Sequence, residues 1–319
     1  MRAARLVGPR RFEFEDVEMS PDPKPGEVLI RNEYFSVCGS DLRTYDRVLK
    51  EEEYPLGPGA PCHEQVGIIE KSMDDRLKVG QRVIALQAGG LKEYTTIAGF
   101  RAVPVPMDDD GSKWVLCQPV GTVLFAVTQI GHLLGKRAVV IGQGPIGLSF
   151  TDFLVRGGCR DVIVVDKLDY RLDIARKLGA THTLNPTRDN VVEAIAEITK
   201  GQMADVAVEA VGRPETVSQV FQAIKMKGTV IVFGIAHDED EFMFNWNQMS
   251  DKLPRIIVTN SARGGEMAET MDHTVSLVQQ GRLSLDHLLT HRMGWEQVGE
   301  AYETYSGKRD NSLKIVMKR

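Results

Sequence analysis

The sequence predicts an α/β protein of two domains, a β-rich one interrupted by a parallel α/β unit. Three observations carry this. The chain has 319 residues, 42% of them hydrophobic, which is more than one ordinary core holds. Residues 1 to 106 carry short alternating or β-branched runs bounded by Gly and Pro. From about residue 120 to 260, apolar strands alternate with helical patterns, which implies a parallel sheet.

In order along the chain, RLVGPRRFEFEDVEM, GEVLIRNEYFSVC, EQVGIIEKS and GQRVIALQ read as strands, with turns in SPDPKPGE and YPLGPGAP. VGTVLFAVTQIGHLL has helical apolar spacing. RAVVIG, DVIVVD, THTLNP, ADVAVEAVG and GTVIVFG then read as strands. Between them, PIGLSFTDFLVRGG, YRLDIARKLGA, DNVVEAIAEITKG and RPETVSQVFQAIKMKG read as helices, with Gly157, Gly179, Gly201 and Gly228 as their C-terminal caps. GEMAETMDHTVSLVQQG and GWEQVGEAYETYSG predict two further helices, and SLKIVMKR a last strand. The expected domains are 1–121 with 264–319 (β-rich) and 122–263 (parallel sheet).

Charge and composition exclude several classes. A net charge of -5 with 26% charged residues is not the basic surface that nucleic acid requires. No apolar run is long enough to span a membrane, and MRAARLVGPRRFEFEDVEM has no apolar signal region. A cytoplasmic protein without membrane or nucleic-acid partners is expected. Cys38, Cys62, Cys117 and Cys159 are widely spaced and form no disulfide framework, so each reads first as a small buried residue.

VVIGQGPIG places Gly142, Gly144 and Gly147 in a G-x-G-x-x-G pattern between a strand and a helix. The first glycine permits a tight turn, the second lets a pyrophosphate approach, and the third allows close helix–strand packing. Pro145, Ile146 and Gly147 open the helix, whose N–H groups face the phosphates. Asp166 ends the next strand, where a carboxylate accepts from the ribose hydroxyls of NAD and repels the 2′-phosphate of NADP. Lys167 and Arg171 are cations nearby that soften the preference for NAD. An α/β turn without a ligand is the bland alternative.

Cys38 in VCGSDLR follows one strand, and His63 and Glu64 in PCHEQVG precede another. Thiolate, imidazole and carboxylate are a chemically suitable set for a catalytic zinc, which needs three protein ligands and an open position. Their spacing alone is equally compatible with a structural role.

CGSD, then CHEQVG, then GQRV, then the G-x-G-x-x-G unit ending in aspartate, closely resemble the zinc-dependent medium-chain dehydrogenases. Within that family the chain is most similar to the polyol, threonine and glucose dehydrogenase branch. The resemblance covers nearly the whole chain. It implies a GroES-like β-rich catalytic domain and a Rossmann doubly wound parallel sheet, with the active site in the cleft between them. It also implies that Cys38 and His63 are zinc ligands, that Glu64 binds zinc directly or by exchange with water, and that Ser40 takes the alcohol proton. Asp41 resembles a carboxylate that orients His63, with a turn residue as the even alternative.

In LCQPVGT, Gln118 stands where much of the branch has a glutamate. It is favoured as the fourth ligand or as a substrate partner, with Cys117 competing for the place. Cys62 replaces the usual glycine before His-Glu, and Arg43 stands where some relatives have a relay histidine. The four-cysteine lobe is missing from VIALQAGGLKEYTTI, so one catalytic zinc and no structural zinc are expected.

Lesser candidates are Glu93, in a loop that in the family lies near the substrate, and Arg263, which could reach a cofactor phosphate. His132, His182, His237, His273, His287 and His291 read as surface or packing residues, although HLLTH would put the last two on one face of a strand. The motifs and the resemblance together predict a zinc-dependent oxidoreductase moving hydride between a secondary alcohol and NAD, and the resemblance implies a homodimer or homotetramer. The rivals are a zinc-free NADPH-dependent reductase and a non-catalytic NAD-binding protein.

Overall fold

The structure, a computed structural model, describes residues 1–46, 51–108, 110–236, 241–259 and 266–319. His237 and Arg263 lie outside the described residues. The chain divides into two compact units, Met1–Gly121 with Gly264–Arg319, and Thr122–Arg263.

The first unit opens with an antiparallel hairpin, β1 (Arg2–Gly8) and β2 (Arg11–Asp16), turned at Arg10 with φ 56°. Then come β3 (Glu27–Ser36), α1 (Leu42–Tyr45), β4 (Glu64–Ser72), β5 (Arg82–Ala85), β6 (Tyr94–Ala98) and β7 (Ala102–Val105). Residues 86–93 join β5 directly to β6. Helix α2 (Cys117–Thr128) carries the chain into the second unit.

That unit strictly alternates at first: β8 (Arg137–Ile141), α3 (Pro145–Arg156), β9 (Asp161–Val165), α4 (Asp169–Lys177), β10 (His182–Leu184), α5 (Val191–Ile198), β11 (Ala204–Glu209), α6 (Pro214–Ala223) and β12 (Ile224–Val232). Helix α7 (Trp246–Ser250) and β13 (Arg255–Val258) complete it. The chain returns to the first unit with α8 (Glu266–Gln279), β14 (Leu289–Gly294), α9 (Val298–Ser306) and β15 (Lys314–Lys318).

The six strands of the second unit run parallel in the order β10-β9-β8-β11-β12-β13. Val139 and Ile163 on one face and Val140 and Val164 on the other are all fully buried, the mark of a sheet covered on both sides. Strand order reverses at β8, so the loop after β8 sits where such sheets bind ligands.

In the first unit a seven-stranded sheet runs β14-β15-β3-β4-β5-β7, with β6 also on β3. Strand β3 is its hub. Ser36, the last residue of β3, pairs with Glu64 at the start of β4 and with Val316 in β15. Three segments remote in sequence thus meet at one end of β3. Beneath them lies a core that includes Phe35, Val37, Tyr45, Cys62, Trp295, Tyr302 and Ile315.

Two expected details differ. Helix α6 stops at Ala223 rather than running to Gly228. Ile224 is fully buried and pairs with Ala204, and Lys227 takes a left-handed φ of 57°, so strand pairing overrides the helical pattern and Gly228 caps no helix. Strand β14 begins only at Leu289, so His287 precedes it and does not share a strand face with His291.

Candidate active site

The β3–β4 register brings the first candidate site together. Cys38 lies two residues beyond β3 and His63 one residue before β4, so pairing of Ser36 with Glu64 places their loops side by side. Among the described residues, Cys38, His63 and Glu64 form a group whose ligand atoms all lie within 4.8 Å of one another. Ser40 Oγ donates to Cys38 Sγ at 3.2 Å and lies 3.4 Å from His63 Nε2. A hydroxyl, a thiol and an imidazole nitrogen therefore crowd the point where a cation would bind.

Asp41 holds this arrangement. Its Oδ2 accepts from the Cys38 backbone N–H at 3.1 Å, and its Oδ1 lies 3.0 Å from His63 Nδ1. One buried carboxylate thus ties both loops, and it leaves His63 Nε2 on the Cys38 side. Burial pushes the His63 pKa down, but Cys38 and Asp41 outweigh it and raise it to about 12. A site that favours positive charge so strongly, with soft and borderline donors converging, fits a zinc ion.

The sequence reading missed two partners. Lys314, first residue of β15, places Nζ 2.6 and 2.7 Å from the two carboxylate oxygens of Glu64 and 3.0 Å from the Val37 carbonyl. Both side chains are buried, and the pairing with Glu64 keeps the lysine charged despite desolvation. The signal was present: a lysine inside the apolar strand SLKIVMKR needs a buried anion. The second is Tyr302, whose O–H donates to Asp41 Oδ2 at 2.9 Å.

Cys62 is not part of the ligand group. It is fully buried, and its thiol donates to the Glu64 and Ser36 carbonyls at 3.4 and 3.7 Å. Desolvation pushes its pKa well above the ordinary thiol value, so it stays a neutral core group. Cys117 is likewise buried, its pKa pushed up to about 12 by desolvation, and it is not part of the ligand group. Gln118 lies in the first turn of α2, 9% exposed. Glu93 is held by the Arg2 backbone N–H and by Arg319, a structural lock between strands.

The second candidate site follows β8. Gly142 has φ 93°, and a Cβ on Gly147 would stand 1.8 Å from the Gly142 carbonyl oxygen, so both positions exclude side chains. Gly144 caps α3 without any side-chain bond, and Pro145 opens the helix. The first-turn N–H groups of Ile146 and Gly147 are thus available to an anion. Asp166 accepts from the Gln143 N–H at 2.7 Å and the Leu168 N–H at 2.9 Å, and Arg171 Nη1 lies 3.7 Å from its Oδ2. Asp166 therefore braces the glycine-rich turn while facing a cation, and the donors fit a dinucleotide.

Residues 24–107 match the alcohol dehydrogenase GroES-like domain family, and residues 145–279 match the zinc-binding dehydrogenase family. The chain belongs to the zinc-type medium-chain dehydrogenases. Its fold is accordingly a GroES-like β-rich domain with a Rossmann-type parallel sheet. An alcohol dehydrogenase of Cupriavidus necator is 29% identical, with 100% of this chain and 98% of that protein aligned. An L-threonine 3-dehydrogenase of Pyrococcus abyssi is 26% identical, with 93% of each aligned. Among solved structures, the alcohol dehydrogenase TADH from Thermus sp. ATN1 superposes with a TM-score of 0.87 at 21% identity over 100% of both chains. That last likeness speaks to the fold alone.

Proposed function

We propose that this medium-chain dehydrogenase oxidises a secondary alcohol group on a polyol, sugar or related hydroxy compound, with one catalytic zinc and NAD. That it is an oxidoreductase acting on hydroxyl groups follows from its family. The finer reading rests on one observation, the convergence of Cys38, His63 and Glu64 with Ser40 among them.

Cys38 and His63 hold the metal. Glu64 is available as a further ligand in competition with Lys314, and Gln118 is the remaining candidate. Zinc bound there supplies Lewis acidity that makes a substrate hydroxyl easier to deprotonate. Ser40 accepts the substrate proton and passes it outward. When His63 gives up its second proton to bind metal, Asp41 beside Nδ1 favours the tautomer whose Nε2 is free. NAD held by the glycine-rich turn would supply the hydride acceptor, the chemistry being the cofactor's own. Gly142, Gly144, Ile146 and Gly147 would cradle its pyrophosphate by backbone N–H groups, Pro145 would set the first turn of the helix without donating, and Asp166 would receive the ribose hydroxyls. Arg171 beside Asp166 makes NADP a poorer but real substrate.

The test combines metal analysis with turnover. Protein purified without added metal should carry about one zinc per chain. It should reduce NAD with some member of a panel of polyols, sugars, L-threonine and butanediols, and Cys38→Ser should lose both zinc and turnover. A zinc content near zero with an active Cys38→Ser variant would instead identify a zinc-free reductase. Tight NAD binding without turnover would identify a binding protein.

No helix among the described residues is long and apolar enough to cross a membrane, and we place the enzyme in the cytoplasm. Among the described residues, β13 offers a free sheet edge for assembly. It is an edge strand with Ile256 40% and Val258 77% exposed, and we propose that it pairs with a second copy in a homodimer, or in a tetramer built of such pairs.

A further inference from the structure

We propose that Tyr302 is a positioning residue for the metal, acting through Asp41 to fix which ring nitrogen of His63 faces Cys38. The proposal rests on the reading of Cys38 and His63 as zinc ligands.

Tyr302 comes from α9, and its contact with Asp41 bridges 261 positions of sequence. Its ring packs against Phe12 and Tyr45, with centroids 4.8 and 5.2 Å away. Packing alone would be served equally by phenylalanine. A phenol hydroxyl buried in such an aromatic cluster carries a desolvation cost that only a partner offsets. Its partner is Asp41 Oδ2 at 2.9 Å, and both residues are buried, at 0% and 2% exposure.

Asp41 needs that donor. Its Oδ2 receives two hydrogen bonds, from the Cys38 N–H and from the Tyr302 O–H. These two donors come from different segments and fix the carboxylate plane, so Oδ1 alone is turned to His63 Nδ1, 3.0 Å away. In the neutral ring that a metal requires, hydrogen on Nδ1 leaves the lone pair on Nε2, which lies 3.4 Å from Ser40 Oγ. Without Tyr302, the donor to Oδ2 that remains among the described residues is the local Cys38 N–H. Asp41 then gains freedom to rotate, and the His63 ring loses its fixed orientation.

The experiment uses the whole chain, stripped of metal, as wild type, Tyr302→Phe, Asp41→Asn and the double variant. Zinc affinity is measured by competition with a chelator, and cobalt is added to read the visible ligand-field bands. Tyr302→Phe should bind zinc about tenfold or more weakly, the lower range for disturbing an outer partner of a ligand. Its cobalt bands at saturation should shift, while NAD affinity and apo-protein thermal unfolding stay close to wild type. In the Asp41→Asn background the same change should have no further effect on zinc, because the path through Asp41 is already cut.

Unchanged affinity and cobalt bands in a folded Tyr302→Phe protein would overturn the proposal, as would an equal, additive loss in the Asp41→Asn background. If Tyr302→Phe does not fold, Asp41→Asn decides: a tenfold loss supports the chain of contacts, and wild-type affinity overturns it. A wild-type protein that binds no zinc would sink the zinc reading itself, a result distinct from wild type and variant binding equally well.

Discussion

Lys314 and Glu64 form a pair in which neither charge can reach water. Removing the cation leaves a buried, uncompensated carboxylate, so Lys314→Met should cost about 3–5 kcal/mol of stability by chemical denaturation. Cys62 makes the opposite case. As a neutral core thiol it should be dispensable to the metal, and Cys62→Ala should lower stability by about 1–2 kcal/mol while zinc content stays at the wild-type value. Loss of zinc with stability unchanged would mean that Cys62 takes part in ligation. The asymmetry in what the sequence revealed is physical. Cys38, Ser40, His63 and Glu64 lie in two short segments whose chemistry is written locally. Lys314 and Tyr302 reach the site across 250 and 261 positions, and only the pairing of β15 with β3 and the docking of α9 bring them there.

At the scale of the element, the turn after β11 depends on Glu209. Its Oε1 accepts from the Val211 and Gly212 N–H groups and from Thr216 Oγ1. Burial raises its pKa above the ordinary 4.5, more than those bonds lower it. An acid whose folded pKa is raised contributes stability fully present below its unfolded pKa and lost as pH rises through the folded one. Glu209→Gln keeps an acceptor oxygen but carries no charge, so its stability relative to wild type should improve as pH is raised from about 4.5 toward neutrality, by thermal melts across that range. Glu209→Ala, which strands three donors, should destabilise at every pH. The neighbouring turn after β8 is equally strict. Gly147→Ala would drive a methyl into the Gly142 carbonyl, and we expect loss of NAD binding by calorimetry. The glycine pattern was legible because it is a backbone requirement. The end of α6 was not, because IKMKG suits a helix until β11 offers Ile224 a strand partner.

For the whole molecule, β13 is the exposed edge of the parallel sheet, and Val258→Lys should put a charge into any pairing there. Sedimentation should show a smaller assembly for that variant than for wild type, and a monomeric wild type would refute the pairing. The two-part architecture was readable from the change in hydrophobic period near residue 120, since strands and helices impose different spacings. Its closure was not, because which strand lies beside β3 is decided by side chains far apart in the chain. That closure has a consequence for the order in which the protein is made. Strand β15 sits between β14 and β3, and it delivers the cation that neutralises Glu64. A nascent chain that has emerged only as far as the parallel sheet already holds Cys38 and His63, yet Glu64 is then a bare carboxylate and Asp41 lacks its tyrosine. If Cys38 and His63 hold zinc as proposed, a chain that ends before α9 keeps both ligands but lacks Tyr302 and Lys314, and the surroundings of the site are complete only once the last strand is in place.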